Sequence, residues 1–227
     1  MTTGIHDLPF PDAVIFDLDG TMVDTVETRI DAWLETFEEV GLPATRDILV
    51  PLIGLDGRRL AREVAALDRQ PIDFDRSEAI DKLSGEIYER KNAHPKPLPG
   101  VREIVDAIET RGLEWSIATS SRKDQVQTSV KALGLDREPS IVDASHVEHA
   151  KPEPDLLLRA AEELKVDPGR CWYIGDSTWD MVAAVAAGMI PIGVTAGSAV
   201  DRAALAGAGA AAVADTLSEV TDALTAG

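Results

Sequence analysis

From Val101 onward, short apolar runs alternate with amphipathic segments, and that alternation limits the fold more than any other feature of the chain. The spacing predicts helices over 101–110, 123–133, 156–164, 179–187 and 217–224. Between them lie short runs that read as strands, at 115–118, 141–143, 171–174, 190–194 and 211–213. An earlier run at 13–16, Ala-Val-Ile-Phe, is apolar throughout and short enough for a buried strand. Strands alternating with helices at this spacing pair in parallel through right-handed crossovers. The expected fold class is α/β, a doubly wound parallel sheet.

Between the first strand and residue 97 the pattern changes, and no strand is predicted. Val26, Ile30, Trp33, Phe37 and Val40 repeat at helical spacing behind Thr25, a candidate N-cap, and Gly41-Leu42-Pro43 ends that helix. Helical patterns continue at 58–67 and 75–91. Pro95, Pro97 and Pro99 then make a stiff connector. The expected organisation is an α/β core of residues 1–24 and 98–227 with an all-helical insertion, residues 25–97, above the carboxyl end of the first strand. Residues 206–214, rich in Ala and Gly, read as a small-residue packing region.

The chain has 227 residues and a formal charge of -18. Nucleic acid is an unsuitable partner for so acidic a surface, because phosphate binding needs basic groups. Any anionic substrate must be met by cations gathered at one place. A single cysteine, Cys171, allows no internal disulfide and fits a reducing compartment. Residues 1–10 carry no basic-then-apolar signal, and no apolar run is long enough to span a membrane. The expectation is a cytoplasmic protein, away from membranes and of unread oligomeric state.

Four strand ends carry chemistry. The first strand stops at Asp17-Leu18-Asp19-Gly20-Thr21, where one carboxylate can be a nucleophile towards phosphorus and its neighbour an acid and base. The second ends in Thr119 and Ser120, whose hydroxyls and backbone N–H groups can hold phosphate oxygens. Beyond the third stands Lys151, between Ala150 and Pro152, a compact charge for a phosphoryl oxygen. The fourth ends in Gly175-Asp176-Ser177, with Asp180 one helical turn on, and hard oxygen ligands so placed suit Mg²⁺. No Cys and His stand at the spacing zinc needs. His149, with nothing pairing it to a nucleophile, reads as structural or solvent-facing, and Trp33 as core.

These strings resemble the motifs of the haloacid dehalogenase superfamily, in particular its phosphatase branch with a helical cap. Phosphoglycolate phosphatases and β-phosphoglucomutases look most similar. The resemblance implies a Rossmann-like core and a Mg²⁺-dependent phosphatase acting on a small phosphorylated metabolite through an aspartyl-phosphate intermediate. It implies that Asp17 attacks phosphorus, that Asp19 protonates the leaving alcohol and then activates water, and that Thr119 and Lys151 hold the phosphoryl group. Ser120 and Gly20 belong to the same phosphate-binding loops. It implies metal ligation by Asp17 and Asp176, by the backbone carbonyl of Asp19, and by Asp180 either directly or from behind the ligands. Dehalogenases of the superfamily lack the second carboxylate, and its phosphonatases carry Ala there, so Asp19 separates this chain from both. The alternative is a sugar-phosphate mutase: Ala32-Trp33 is mutase-like, but Arg29 stands where such mutases carry histidine.

Two further expectations concern side chains around the site. Arg58 or Arg59, after the glycine-flanked loop Gly54-Leu55-Asp56-Gly57, is expected to meet a second anionic or hydroxyl group of the substrate. Asp19 is expected in a water-accessible position, where its loss affects chemistry more than folding.

Overall fold

The computed structural model describes residues 2–226, apart from the side chain of Asp124. Six parallel strands form one sheet: β1 (Ala13–Phe16), β2 (Glu114–Ala118), β3 (Ser140–Val142), β4 (Cys171–Gly175), β5 (Ile190–Val194) and β6 (Ala212–Ala214). Their order is β3-β2-β1-β4-β5-β6. Winding runs outward from β1 to β3, then returns to the other side of β1 and runs outward again. The strand ends of β1 and β4 therefore flank the point where the winding reverses, the usual ligand crevice of an open α/β sheet.

Alternation along the strands explains why both faces must be covered. Val14 and Phe16 of β1 pack on one side with Trp172 and Ile174 of β4, under α5 (Val101–Thr110) and α10 (Leu217–Thr225). Ala13 and Ile15 point to the other side with Cys171 and Tyr173, under α7 (Asp155–Leu164) and α8 (Thr178–Ala186). All four residues of β1 are fully buried, as expected of a central parallel strand covered on both faces. The expected helices and strands all occur, with ends shifted by a residue or so, and α6 occupies Lys123–Ala132. Residues 206–214 do pack, with Ala210 and Val213 buried beside Leu205 and Met181, and the end of α9 (Arg202–Gly207) enters this stretch. Its Ala-rich sequence shows too little contrast between faces to signal a helix. No helix among the described residues is long and apolar enough to cross a membrane.

Residues 26–91 contain helices only: α1 (Val26–Val40), α2 (Arg46–Leu49) with a 3-10 turn after it, α3 (Gly57–Leu67) and α4 (Phe74–Lys91). They surround an apolar cluster of their own, in which Ile30, Trp33 and Phe37 of α1 meet Leu60 and Val64 of α3 and Ile80 of α4. Gly41 ends α1 at φ 72°, a left-handed turn that glycine adopts without a Cβ clash. The segment returns to the core where Leu98 N–H donates to Met22 O, beside its departure point.

Candidate active site

Asp17 follows β1 and is 3% exposed; its backbone N–H donates to Ile174 O of β4. Lys151 Nζ stands 2.6 Å from Asp17 Oδ1 and 2.8 Å from Asp180 Oδ1. Burial alone would favour a neutral lysine, but the two carboxylates raise its pKa above the ordinary value and keep it charged. Asp180 accepts four hydrogen bonds: Oδ1 takes Lys151 and Tyr173 Oη, and Oδ2 takes the backbone N–H and hydroxyl of Ser177. Its oxygens are thus occupied by protein donors. Asp180 lies on α8, and its contacts fix Lys151 against Asp17.

Asp176 closes the other side. Its Oδ1 accepts from Thr21 Oγ1 at 3.0 Å. Among the described residues, no hydrogen bond is made to the second oxygen of either Asp17 or Asp176. Desolvation pushes both carboxyls above their ordinary range; Asp180 adds to it in both, Asp19 adds to it for Asp17 and Asp17 for Asp176, while Lys151 pulls both back. Two buried carboxylates short of positive charge, each with an oxygen to give, fit a hard divalent cation. Carboxylate oxygens of Asp17, Asp176 and Asp180 lie within 4.8 Å of one another, but only the first two have an oxygen to spare.

Gly20 belongs to this arrangement by absence of a side chain. At φ 81°, a Cβ there would lie 2.3 Å from Asp176 Oδ2 and 2.6 Å from Val26. Its N–H is spent on Val23 O, so Gly20 makes room for Asp176 and does not offer a phosphate donor. Thr119 is buried, and its Oγ1 accepts from Ser121 N–H at 3.2 Å, which leaves the hydroxyl hydrogen for another acceptor. Ser120 Oγ is buried without a hydrogen-bond partner among the described residues, beside the same cavity. An orphaned hydroxyl there is what a bound oxyanion would satisfy.

Asp19 is held very differently. It accepts from Thr25 Oγ1 at 2.6 Å, Ser121 Oγ at 2.6 Å, Tyr88 Oη at 2.8 Å and Arg29 Nη2 at 2.9 Å. Burial alone would raise its pKa. The charge of Arg29 and the hydrogen bonds outweigh that and bring it down to about 2. The Thr25 hydroxyl therefore serves Asp19 and does not cap α1. Arg29 also donates to Gln125 Oε1 and Ser121 Oγ, with its guanidinium 3.4 Å above the Tyr88 ring centre. Tyr88 is steadied in turn by Asn92, which reaches Ser129 of α6. Tyr88 and Gln125 carry no motif, and Tyr88 lies far from the Ser121–Gln125 stretch in sequence. Only the packing of α4 and α6 against the β1 loop brings them together.

Arg58 and Arg59 are not brought to this cavity. Arg58 pairs with Asp56 at 2.9 Å, and Arg59 reaches outward to Glu153 and Glu63. The reason is local: Asp56 caps α3 by accepting from Arg59 N–H, and the same carboxylate draws in the Arg58 guanidinium. The loop lines the cavity with Gly54, Leu55 and Gly57 instead. Trp33, Asp81, Ser84 and Gln125 line the same cavity. His149 is exposed, as its sequence context implied.

A parallel sheet with carboxylates at two central strand ends, a lysine bound to the first of them and a helical segment above is an arrangement suited to phosphoryl transfer. The chain belongs to the haloacid dehalogenase-like hydrolase family, whose model matches residues 14–194. It is 32% identical over 222 residues to Protein SUPPRESSOR OF QUENCHING 1, chloroplastic, of Arabidopsis thaliana, covering 95% of this chain but 21% of that protein. It is 31% identical to the N-acetylmuramic acid 6-phosphate phosphatase of Pseudomonas putida, across 74% of this chain and 76% of that one. Among solved structures, a hydrolase from Pseudomonas syringae superposes with a TM-score of 0.88 at 31% identity, covering 92% of this chain and 96% of the other.

Proposed function

We propose that the protein is a Mg²⁺-dependent phosphomonoesterase acting on a small phosphorylated metabolite through a phosphoryl group carried by Asp17. The observation that supports it most is the paired demand of Asp17 and Asp176 for positive charge, beside a lysine already bound to Asp17. Mg²⁺ suits the all-oxygen donors, and when bound it would offset charge on the phosphoryl oxygens. Asp17 and Asp176 would hold it by their side chains, with the Asp19 backbone carbonyl.

Asp17 attacks phosphorus, and the P–O bond to the alcohol breaks. Asp19 gives the leaving oxygen a proton, then takes one from the water that releases phosphate. Lys151, Thr119 and Ser120 hold the phosphoryl oxygens, and Asp180 keeps Lys151 in place. Residues 25–97 act as a cap that covers the site and excludes water. Four links support that reading: Asp56 N–H to Lys151 O at 2.9 Å, Trp179 Nε1 to Pro51 O, Arg122 to Asp81 and Glu78, and Arg59 to Glu153. In its Asp19 cage the acid–base carboxylate is charged, so proton donation requires the cage to loosen as the cap moves. Hydrolysis of p-nitrophenyl phosphate tests the reading. It is expected to need Mg²⁺, to stop with a chelator and to vanish in Asp17→Asn. Metal-dependent hydrolysis persisting in pure Asp17→Asn protein would overturn it.

A further inference from the structure

Besides the motif residues, the cavity is lined by Trp33 of α1, Gly57 and Leu60 of α3, Asp81 and Ser84 of α4, and Gln125 of α6, the wall that would meet the leaving alcohol in the phosphatase reading. None of these is a cation. The cations nearby are already matched to carboxylates. Lys151 lies between Asp17 and Asp180, Arg29 against Asp19, Arg58 against Asp56, and Arg59 against Glu153. Arg122 stands behind Asp81, bound to it and to Glu78.

Asp81 is the unusual member of that wall. Arg122 holds one of its oxygens, Oδ2, with Nε at 3.0 Å and Nη2 at 2.7 Å. No hydrogen bond reaches Oδ1 among the described residues. Oδ1 instead lies against Gly57, where a Cβ would stand 1.8 Å from it. No other residue type at position 57 could leave that oxygen where it is. The geometry provides a fixed carboxylate oxygen on this wall, and an ionised carboxylate can only accept. A substrate hydroxyl would satisfy it. A second carboxylate or phosphate on the substrate would face Asp81 and Asp19 with no unspent cation to meet it. The Trp33 indole, stacked on Phe37 at 5.3 Å, adds an apolar wall suited to the C–H face of a sugar.

We propose that the alcohol released here is an uncharged polyhydroxy compound, a sugar or sugar alcohol with a hydroxyl donating to Asp81 Oδ1, and that esters bearing a second anion are rejected. This rests on the phosphatase reading and narrows it.

The test is a kcat/KM panel with Mg²⁺ on the full chain. It contains p-nitrophenyl phosphate, glucose 6-phosphate, fructose 1-phosphate, sorbitol 6-phosphate, 2-phosphoglycolate and fructose 1,6-bisphosphate. At least one sugar or polyol monophosphate should exceed 2-phosphoglycolate and the bisphosphate by about tenfold or more, as expected where a buried acceptor is satisfied in one case and faced with an anion in the other. Asp81→Asn keeps the shape, and Gly57→Ala displaces the oxygen. Each should cost roughly tenfold more on the best sugar phosphate than on p-nitrophenyl phosphate, which has no hydroxyl to offer. A preference for 2-phosphoglycolate or the bisphosphate would overturn the proposal, as would equal losses, or none, on both substrates in Asp81→Asn. If p-nitrophenyl phosphate itself is not hydrolysed, the phosphatase reading fails and takes this proposal with it. If it is hydrolysed without sugar preference, only this proposal fails.

Discussion

Arg29 Nη2 stands 2.9 Å from Asp19 Oδ2, a largely buried ion pair joining the first helix of the insertion to the loop that leaves β1. Asp19 is therefore a structural tie between cap and core as well as a candidate acid and base. Removing it strands a buried guanidinium. We expect Asp19→Ala to lose about 3 kcal/mol of stability, the lower end for breaking a buried pair, because Arg29 keeps Gln125 and Ser121 as partners. The sequence-based expectation places Asp19 in a water-accessible position where its loss affects chemistry more than folding; its cage of four donors is why a stability loss is expected as well. Asp19→Asn keeps the shape and one accepting oxygen, and should still lose roughly a hundredfold or more in turnover. Denaturant unfolding beside steady-state kinetics separates the two effects.

Lys151 is 1% exposed and holds two carboxylates apart. Lys151→Ala leaves both facing each other without a cation, and a loss of about 3–5 kcal/mol is expected. Phosphate-ester turnover should fall with it, through both KM and kcat. Unchanged kcat/KM in a folded Lys151→Ala protein would remove the lysine from the site.

Asp176 and Asp180 should part company in a metal titration. Asp180 spends its oxygens on Lys151, Tyr173 and Ser177, whereas Asp176 has one to spare. Asp176→Asn is expected to raise the Mg²⁺ concentration needed for half-maximal activity much more than Asp180→Asn does. Isothermal titration with Mg²⁺ gives an independent reading. A larger loss of affinity in Asp180→Asn would make Asp180 the ligand.

Gly20→Ala adds a Cβ 2.3 Å from Asp176 Oδ2 at a left-handed φ of 81°. Both backbone strain and displacement of the carboxylate proposed to hold the metal follow. Mg²⁺ affinity should weaken by about tenfold or more, with a lower melting temperature.

Cys171 is buried in β4, and burial, with Asp167 and Asp12 adding to it, pushes its thiol up to about 11. At pH 8 roughly a thousandth of it would be thiolate, the reactive form. Iodoacetamide should label the native protein very slowly and the denatured protein quickly. Rapid native labelling at pH 8 would show that β4 opens.

The sheet was legible because central parallel strands must be apolar on both faces, and 13–16 and 171–174 are. The positions of Asp17, Thr119 and Asp176 at strand ends were legible because each directly follows such a run, whereas Lys151 stands nine residues beyond β3 and was placed by its motif. Asp180 could be placed one turn from Asp176, but its partners could not be read, since Tyr173 and Lys151 reach it through the fold. Tyr88, Gln125 and Asp81 face the site because of how α4 and α6 are docked, and nothing local in sequence marks them. Arg58 and Arg59 were misplaced for a local reason: Asp56 is at once the helix cap and the ion-pair partner that turns Arg58 aside.

The most direct test of the account is to catch the phosphoryl group on the chain. Enzyme mixed with Mg²⁺ and a good phosphate ester is quenched in acid within the first turnover, reduced with borohydride and mapped by peptide mass spectrometry. The account predicts a mass gain of one phosphoryl group before reduction, and conversion of Asp17 to homoserine afterwards. Phosphate carried by another residue would contradict it, as would burst-free turnover with Asp17 unmodified at every quench time.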